Sequence, residues 1–233
     1  MMTLHTEPIR FVCFDADDTL WKNEEFYRAA EQRFYALLSS KLTEEQAADA
    51  LFHTEMANLR AFGYGAKSFT LSMIETALNT LEGEAAAQAA REILQIGKEL
   101  ILRPVQLLPG VKETLEKLSG KYHLSVVTKG DLLDQERKIK NSGLLPLFDN
   151  VEILSDKNPA VYADLFTRLG ARPDEVLMVG NSLKSDVFPA LEAGAQAAYV
   201  PCPFTWRHEA REEPENPPYL PISGLPDLLD VLL

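Results

Sequence analysis

With 233 residues, 46% of them apolar and 25% charged, the chain has the make-up of a water-soluble globular protein, long enough for one domain with an insertion or for two unequal domains. A net charge of -12 argues against a protein that grips nucleic acid or an anionic membrane surface, so a phosphate-bearing ligand would have to be met by local cations. Cys13 and Cys202 are too few for a disulfide framework, the start MMTLHTEPIR lacks the apolar core of a signal peptide, and no window approaches about eighteen uninterrupted apolar residues, so a cytoplasmic protein is expected.

The first element is an apolar run ending at Phe14, read as a strand buried on both faces and cut off by Asp15, Asp17 and Asp18 in the stretch VCFDADDTLW. Carboxylates beside such a strand are costly to bury, which places Asp15 and Asp17 at its carboxyl end, where an open α/β sheet has its crevice. Held that close, the two acids repel unless a cation or shared proton intervenes, and together they predict a divalent metal.

Helices are expected next, over 24–39, 43–60, 68–80 and 84–101, with Thr43 ahead of Glu45 and Gln46 as an N-cap pattern and a loop at FGYGAKSF, residues 62–69. Pro104 and Pro109 end this block. Beyond it the pattern alternates, as in a parallel sheet with crossover helices: helix 110–119, strand 123–128, helix 131–142, strand 151–154, a helix opened by Asn158 and Pro159 and closed by Gly170, strand 176–180, a helix through Leu191, and a last strand at 195–200. Residues 201–222 read as a surface segment rich in Pro and Glu before a short helix at 225–232. The fold class is therefore α/β, a doubly wound, Rossmann-like parallel sheet with an inserted all-helical cap domain; residues 1–22 and 105–233 form the core and 23–104 the insertion, whose length and place suggest a lid.

Each predicted strand near the crevice delivers polar residues at its carboxyl end: Asp15 and Asp17, then Thr128, Lys129 and Gly130, then Lys157, then Asn181 with Asp186 a turn later. DADDTL, VVTKG, the isolated Lys157 and VGNSLKSD, in that order, resemble the four motifs of the haloacid dehalogenase superfamily, most of whose members are magnesium-dependent phosphatases and other phosphoryl-transfer enzymes. The resemblance runs the length of the chain and likens the insertion to a C1-type cap. It implies that Asp15 is a nucleophile forming an aspartyl phosphate and Asp17 the general acid and base, on the same side of an extended chain. Thr128 would donate to a phosphoryl oxygen, Lys157 would neutralise nucleophile and transferring group, and Mg2+ would be held by Asp15, the Asp17 carbonyl, Asn181 and Asp186. A small phosphorylated metabolite is the implied partner, with the protein a monomer or homodimer.

Two departures stand out. Asn181 occupies a position where the family usually has Asp, which shifts the anionic share of metal binding to Asp186; Asp18 occupies a position where glycine is common, which alters a turn. Lys129, Gly130, Lys67 and Ser68 are candidates for substrate contact, with Arg60 and Tyr64 nearby; an ordinary polar loop is the plainer reading for the 62–69 group. Trp206, Arg207 and His208 could border the crevice or pack on the core, and His5, His53 and His123 have no partner at metal-ligand spacing. Haloacid dehalogenation or phosphomutase chemistry on the same fold, and a catalytically weak binding or regulatory protein, are the alternatives.

Overall fold

The computed structural model describes residues 6–233; His5 lies outside them. The described chain divides into two compact units, one of residues 6–24, 105–129 and 137–233, the other of residues 25–104 and 130–136.

The first unit is built on six parallel strands, β1 Phe11–Phe14, β2 His123–Lys129, β3 Asn150–Leu154, β4 Val176–Gly180, β5 Gln196–Tyr199 and β6 Leu220–Pro221, in the order β3-β2-β1-β4-β5-β6. From β1 the chain adds strands outward on one side to β3 and then returns to the other side of β1 with β4, so the switch in winding falls between β1 and β4. Alternation along β1 feeds two cores. Val12 and Phe14 join Leu115, Leu118, Leu177 and Leu228 on one face, while Cys13 joins Tyr162, Phe166, Met178 and Ala190 on the other. Helices Val111–Leu118 and Leu229–Leu232 supply the first face, and helix Pro159–Leu169 the second.

Local chemistry explains the key element ends. Asn158 accepts from Val161 N at 3.1 Å, Pro159 stands at the first helical position, and Gly170 closes the helix at φ 68°. The pairing of β5 with Leu220–Pro221 is a strand the sequence pattern did not indicate, because two residues carry no periodicity. Between β4 and helix Phe188–Glu192 lies one π-helical turn, Leu183–Val187, where a continuous α-helix was expected.

The second unit holds the helices Glu44–Phe62, Ala66–Thr80 and Gly83–Leu102 and all but the first residue of Glu24–Leu38. Thr43 and Gln46 form a reciprocal capping box, with Gln46 N donating to Thr43 Oγ1 at 3.3 Å and Thr43 N to Gln46 Oε1 at 3.0 Å. Ala86, Ala89, Ile93, Ile96 and Leu100 form a helical stripe that packs with Phe34, Leu51 and Met73 into a separate core. Among the described residues no helix is long and apolar enough to cross a membrane.

Candidate active site

At the carboxyl end of β1, Asp15 N donates to Val179 O at 2.9 Å, which carries the pairing of β1 with β4 one residue past the strand. The Asp15 carboxylate is thereby set at the switch point and is 7% exposed. Both its oxygens are engaged: Lys157 Nζ lies 2.6 Å from Oδ1, and Thr19 Oγ1 donates to Oδ2 at 3.3 Å. Lys157 sits between β3 and its following helix, and its second contact is Asp186 Oδ1, also at 2.6 Å. Asp186 Oδ2 in turn accepts from Ser182 N at 2.9 Å. A Cβ at Gly180 would lie 2.3 Å from Asp186 Oδ2, so only glycine lets Asp186 pack there.

This carboxylate–ammonium–carboxylate chain is almost dry, with the Lys157 and Asp186 side chains each 1% exposed. Burial pushes the Asp15 carboxyl up to about 7; Lys157 pulls it down, and Asp186 and Asp17 push it further up. For Lys157 burial alone would favour the neutral amine, but Asp15 and Asp186 outweigh it and carry the lysine well above its ordinary range.

Asn181 follows β4 and faces Asp15 Oδ2, Thr19 Oγ1 and the Asp17 carbonyl. With its nitrogen inward it donates to them at 3.2, 3.2 and 3.1 Å; with its oxygen inward it accepts from Thr19 Oγ1 at 3.2 Å and meets two further oxygens with no proton between them. Three hard oxygens, from a carboxylate, a main-chain carbonyl and an amide, are a donor set that suits Mg2+. Among the described residues no three His, Cys, Asp or Glu side chains converge as a metal cluster, and this set needs only one carboxylate. Asp186, expected among the ligands, instead gives one oxygen to Lys157 and the other to Ser182 N.

Asp17 is bound on both oxygens. Lys138 Nζ lies 2.8 Å from each, and Trp21 Nε1 donates to Oδ1 at 2.7 Å. Lys138, on helix Leu132–Asn141, also donates to Asn23 Oδ1 at 3.2 Å. Asp18 adopts φ 61°, the one positive φ outside glycine among the described residues. Its carboxylate accepts from Asn23 N at 2.9 Å and from Glu24 N at 2.9 Å, so this residue shapes the turn and caps the helix beginning at Glu24. Burial raises its carboxyl to about 6 in spite of these bonds.

Thr128, near the end of β2, is 1% exposed and makes only a long contact of 3.5 Å with the Lys129 carbonyl, which leaves its hydroxyl proton free for a better acceptor. Lys129 is turned to another partner: its ammonium meets Glu209 Oε1 at 2.5 Å and Ser185 Oγ at 2.8 Å. Gly130, Lys67 and Ser68 belong to the helical unit, where Lys67 pairs with Asp131 at 2.9 Å and Ser68 is buried. His53 bonds the Asp49 carbonyl at 2.7 Å, and His123 lies 3.5 Å from Asp149. The Trp206 and His208 rings pack together at 4.8 Å.

Thr19, Trp21, Lys138 and Glu209 are the site residues that sequence reasoning missed. Thr19 and Trp21 lie within the aspartate-rich stretch, where the four-residue spacings from Asp15 and Asp17 were a usable signal. Lys138 and Glu209 carried none, since nothing in a helix or in a polar loop marks one charged residue as inward-facing.

A buried aspartate held by lysine, with an amide, a carboxylate and a main-chain carbonyl converging beside it at the switch point of a parallel sheet, is the site of a hydrolase built on an α/β fold. The chain belongs to the haloacid dehalogenase-like hydrolases, whose family model matches residues 9–194. A haloacid dehalogenase-like family hydrolase of Xanthomonas campestris is 38% identical and superposes with a TM-score of 0.81 over 100% of this chain and 95% of that one. The glyceraldehyde 3-phosphate phosphatase of Methanothermobacter thermautotrophicus is 24% identical over 96% of this chain and 100% of its own length. Human N-acylneuraminate-9-phosphatase is 26% identical over 81% of each.

Proposed function

We propose that the protein is a cytoplasmic, magnesium-dependent phosphomonoester hydrolase of a small phosphorylated metabolite, working through an aspartyl phosphate on Asp15. The observation that carries this reading is the buried Asp15–Lys157–Asp186 chain beside the Asn181, Asp15 and Asp17 oxygens. Two relatives that align over most of the chain are phosphatases of unlike phosphomonoesters, which supports the reaction class and leaves the substrate open.

In this reading Asp15, the Asp17 carbonyl and Asn181 would hold Mg2+, which would supply charge stabilisation for the phosphoryl oxygens. Asp15 is fixed from both sides by Lys157 and Thr19, so its carboxylate is aimed before substrate arrives. One of its oxygens attacks phosphorus as the ester oxygen leaves with a proton from Asp17. Water then attacks the aspartyl phosphate, giving its proton to Asp17 and releasing phosphate. Lys138 and Trp21 hold the Asp17 carboxylate in the orientation from which it moves these protons. Thr128 donates to a phosphoryl oxygen, and Asp186 acts by orienting Lys157. Residues 23–104 are assigned the family's cap role, as the region that sets substrate choice.

Asp15→Asn tests the proposal. The variant is expected to fold and to release no phosphate from a panel of nucleoside monophosphates, sugar phosphates and phosphoglycolate assayed with Mg2+. Wild-type turnover of a halo acid in chelator would point to dehalogenation, and isomerised product without free phosphate to a mutase.

A further inference from the structure

Residues 200–219, between β5 and β6, contain neither helix nor strand; Val200 and Tyr219 at its ends join the apolar core, and between them Glu209 meets residues at the ends of β2 and β4. The Glu209 carboxylate receives Lys129 Nζ on Oε1 at 2.5 Å and both Ser182 Oγ and Ser185 Oγ on Oε2 at 2.6 Å. Lys129 Nζ also donates to Ser185 Oγ at 2.8 Å, and Ser185 N donates to Ser182 Oγ at 3.0 Å, which closes a ring of hydrogen bonds. The ring is mostly out of water, with Glu209 12% and Lys129 16% exposed at the side chain. Burial would raise Glu209, but Lys129 and the two serine hydroxyls overcome it and hold the carboxyl at about 2, so the anion persists at any physiological pH.

The placement of these partners gives the ring its meaning. Lys129 follows Thr128 directly; Ser182 follows Asn181 directly; Ser185 precedes Asp186 directly. Ser182 also caps the π-helical turn and offers its N–H to Asp186. β2 and β4 flank β1 and do not pair with each other, so their site-bearing ends lack a shared ladder beyond it. Glu209 joins those two ends. A carboxylate that only stabilised the surface would need no such convergence, and an isolated buried ion pair is a poor source of stability.

We propose that Glu209 is a positioning residue of the site: it ties the Ser182–Asp186 turn to Lys129 and thereby holds Asn181 and Asp186 in place to receive the cation and to orient Lys157. This rests on the phosphatase reading for its kinetic consequences only. It also assigns Lys129 a structural charge, neutralised by Glu209, in place of a direct role toward substrate.

The experiment compares wild type, Glu209→Gln, Glu209→Asp and Lys129→Met by circular dichroism, by Mg2+ affinity from calorimetry, and by kcat and KM on p-nitrophenyl phosphate. Folded E209Q is expected to bind Mg2+ on the order of 10-fold more weakly and to lose kcat on the order of 10-fold, with KM little changed, and E209D to recover part of both. K129M is expected to move in the same direction, and it decides by the same criteria if E209Q does not fold. A folded E209Q or K129M with wild-type Mg2+ affinity and kcat, changed only in melting temperature, overturns the proposal. Wild type that binds Mg2+ but hydrolyses no phosphomonoester overturns the phosphatase reading alone, and the Mg2+ affinities then decide for Glu209. Wild type that does not bind Mg2+ overturns both.

Discussion

Lys157 Nζ lies 2.6 Å from Asp15 Oδ1 and 2.6 Å from Asp186 Oδ1, with the lysine side chain 1% exposed. One ammonium thus answers two carboxylates from different strand ends in a region closed to bulk solvent. Lys157→Met should leave both acids buried and uncompensated, at a cost of about 3–5 kcal/mol in unfolding free energy. Urea unfolding measures it, and a loss below about 1 kcal/mol would show that the chain of charges is not held as described. Phosphate release by K157M should fall by at least about 100-fold, the scale of losing a buried cation aimed at developing charge.

Lys138 and Trp21 orient Asp17, and Lys138→Met should loosen the carboxylate by removing the contacts that the lysine makes with both of its oxygens. Turnover of alkyl phosphates, whose leaving oxygen needs a proton, is expected to drop about 10- to 100-fold. Turnover of a nitrophenyl phosphate should drop less, because a phenolate leaves without one. Equal losses on both substrates would count against a proton-transfer role for Asp17.

Asn181→Asp restores a carboxylate opposite Asp15 and the Asp17 carbonyl. Without cation the two acids repel, so the melting temperature in EDTA should fall below that of wild type. Addition of Mg2+ should then raise it by more than in wild type, with affinity tighter by about 10-fold, or about 1.4 kcal/mol. A thermal melt with and without Mg2+ reads both signs in one experiment.

Glu209 gives a pH dependence of defined sign. Its carboxyl is lowered from 4.5 to about 2 in the folded protein, so its contribution is complete above 4.5 and is lost as pH falls towards 2. The linkage is worth on the order of 3 kcal/mol. The difference in unfolding free energy between wild type and E209Q should therefore be full at pH 6 and clearly smaller at pH 3. A difference that stays constant over that range would show that the charge of Glu209 is not what matters.

Hydrophobic pattern, capping residues and four spaced polar clusters were enough to expect a parallel α/β sheet with a helical insertion and to nominate Asp15, Asp17, Thr128, Lys157 and Asn181. These are legible because strand ends are fixed by apolar runs, and polar residues beyond them have one crevice to face. What each side chain bonds to is not local information. Asp186 and Lys129 stand where the motifs put them, yet Asp186 binds Lys157 and Ser182 N, while Lys129 binds Glu209, eighty residues away in sequence.

By itself, then, the sequence determined five of the six strands, a helical run after the first of them and the residue types at the strand ends, since these follow from periodicity and propensity over neighbouring positions. The tertiary structure alone decided how the charges pair. Lys138 reaches Asp17 across 121 positions of chain and Glu209 reaches Lys129 across 80, and those pairings depend on which helix and which loop pack beside the site. A buried charge must find its partner wherever the fold supplies one, and no local pattern records where that is.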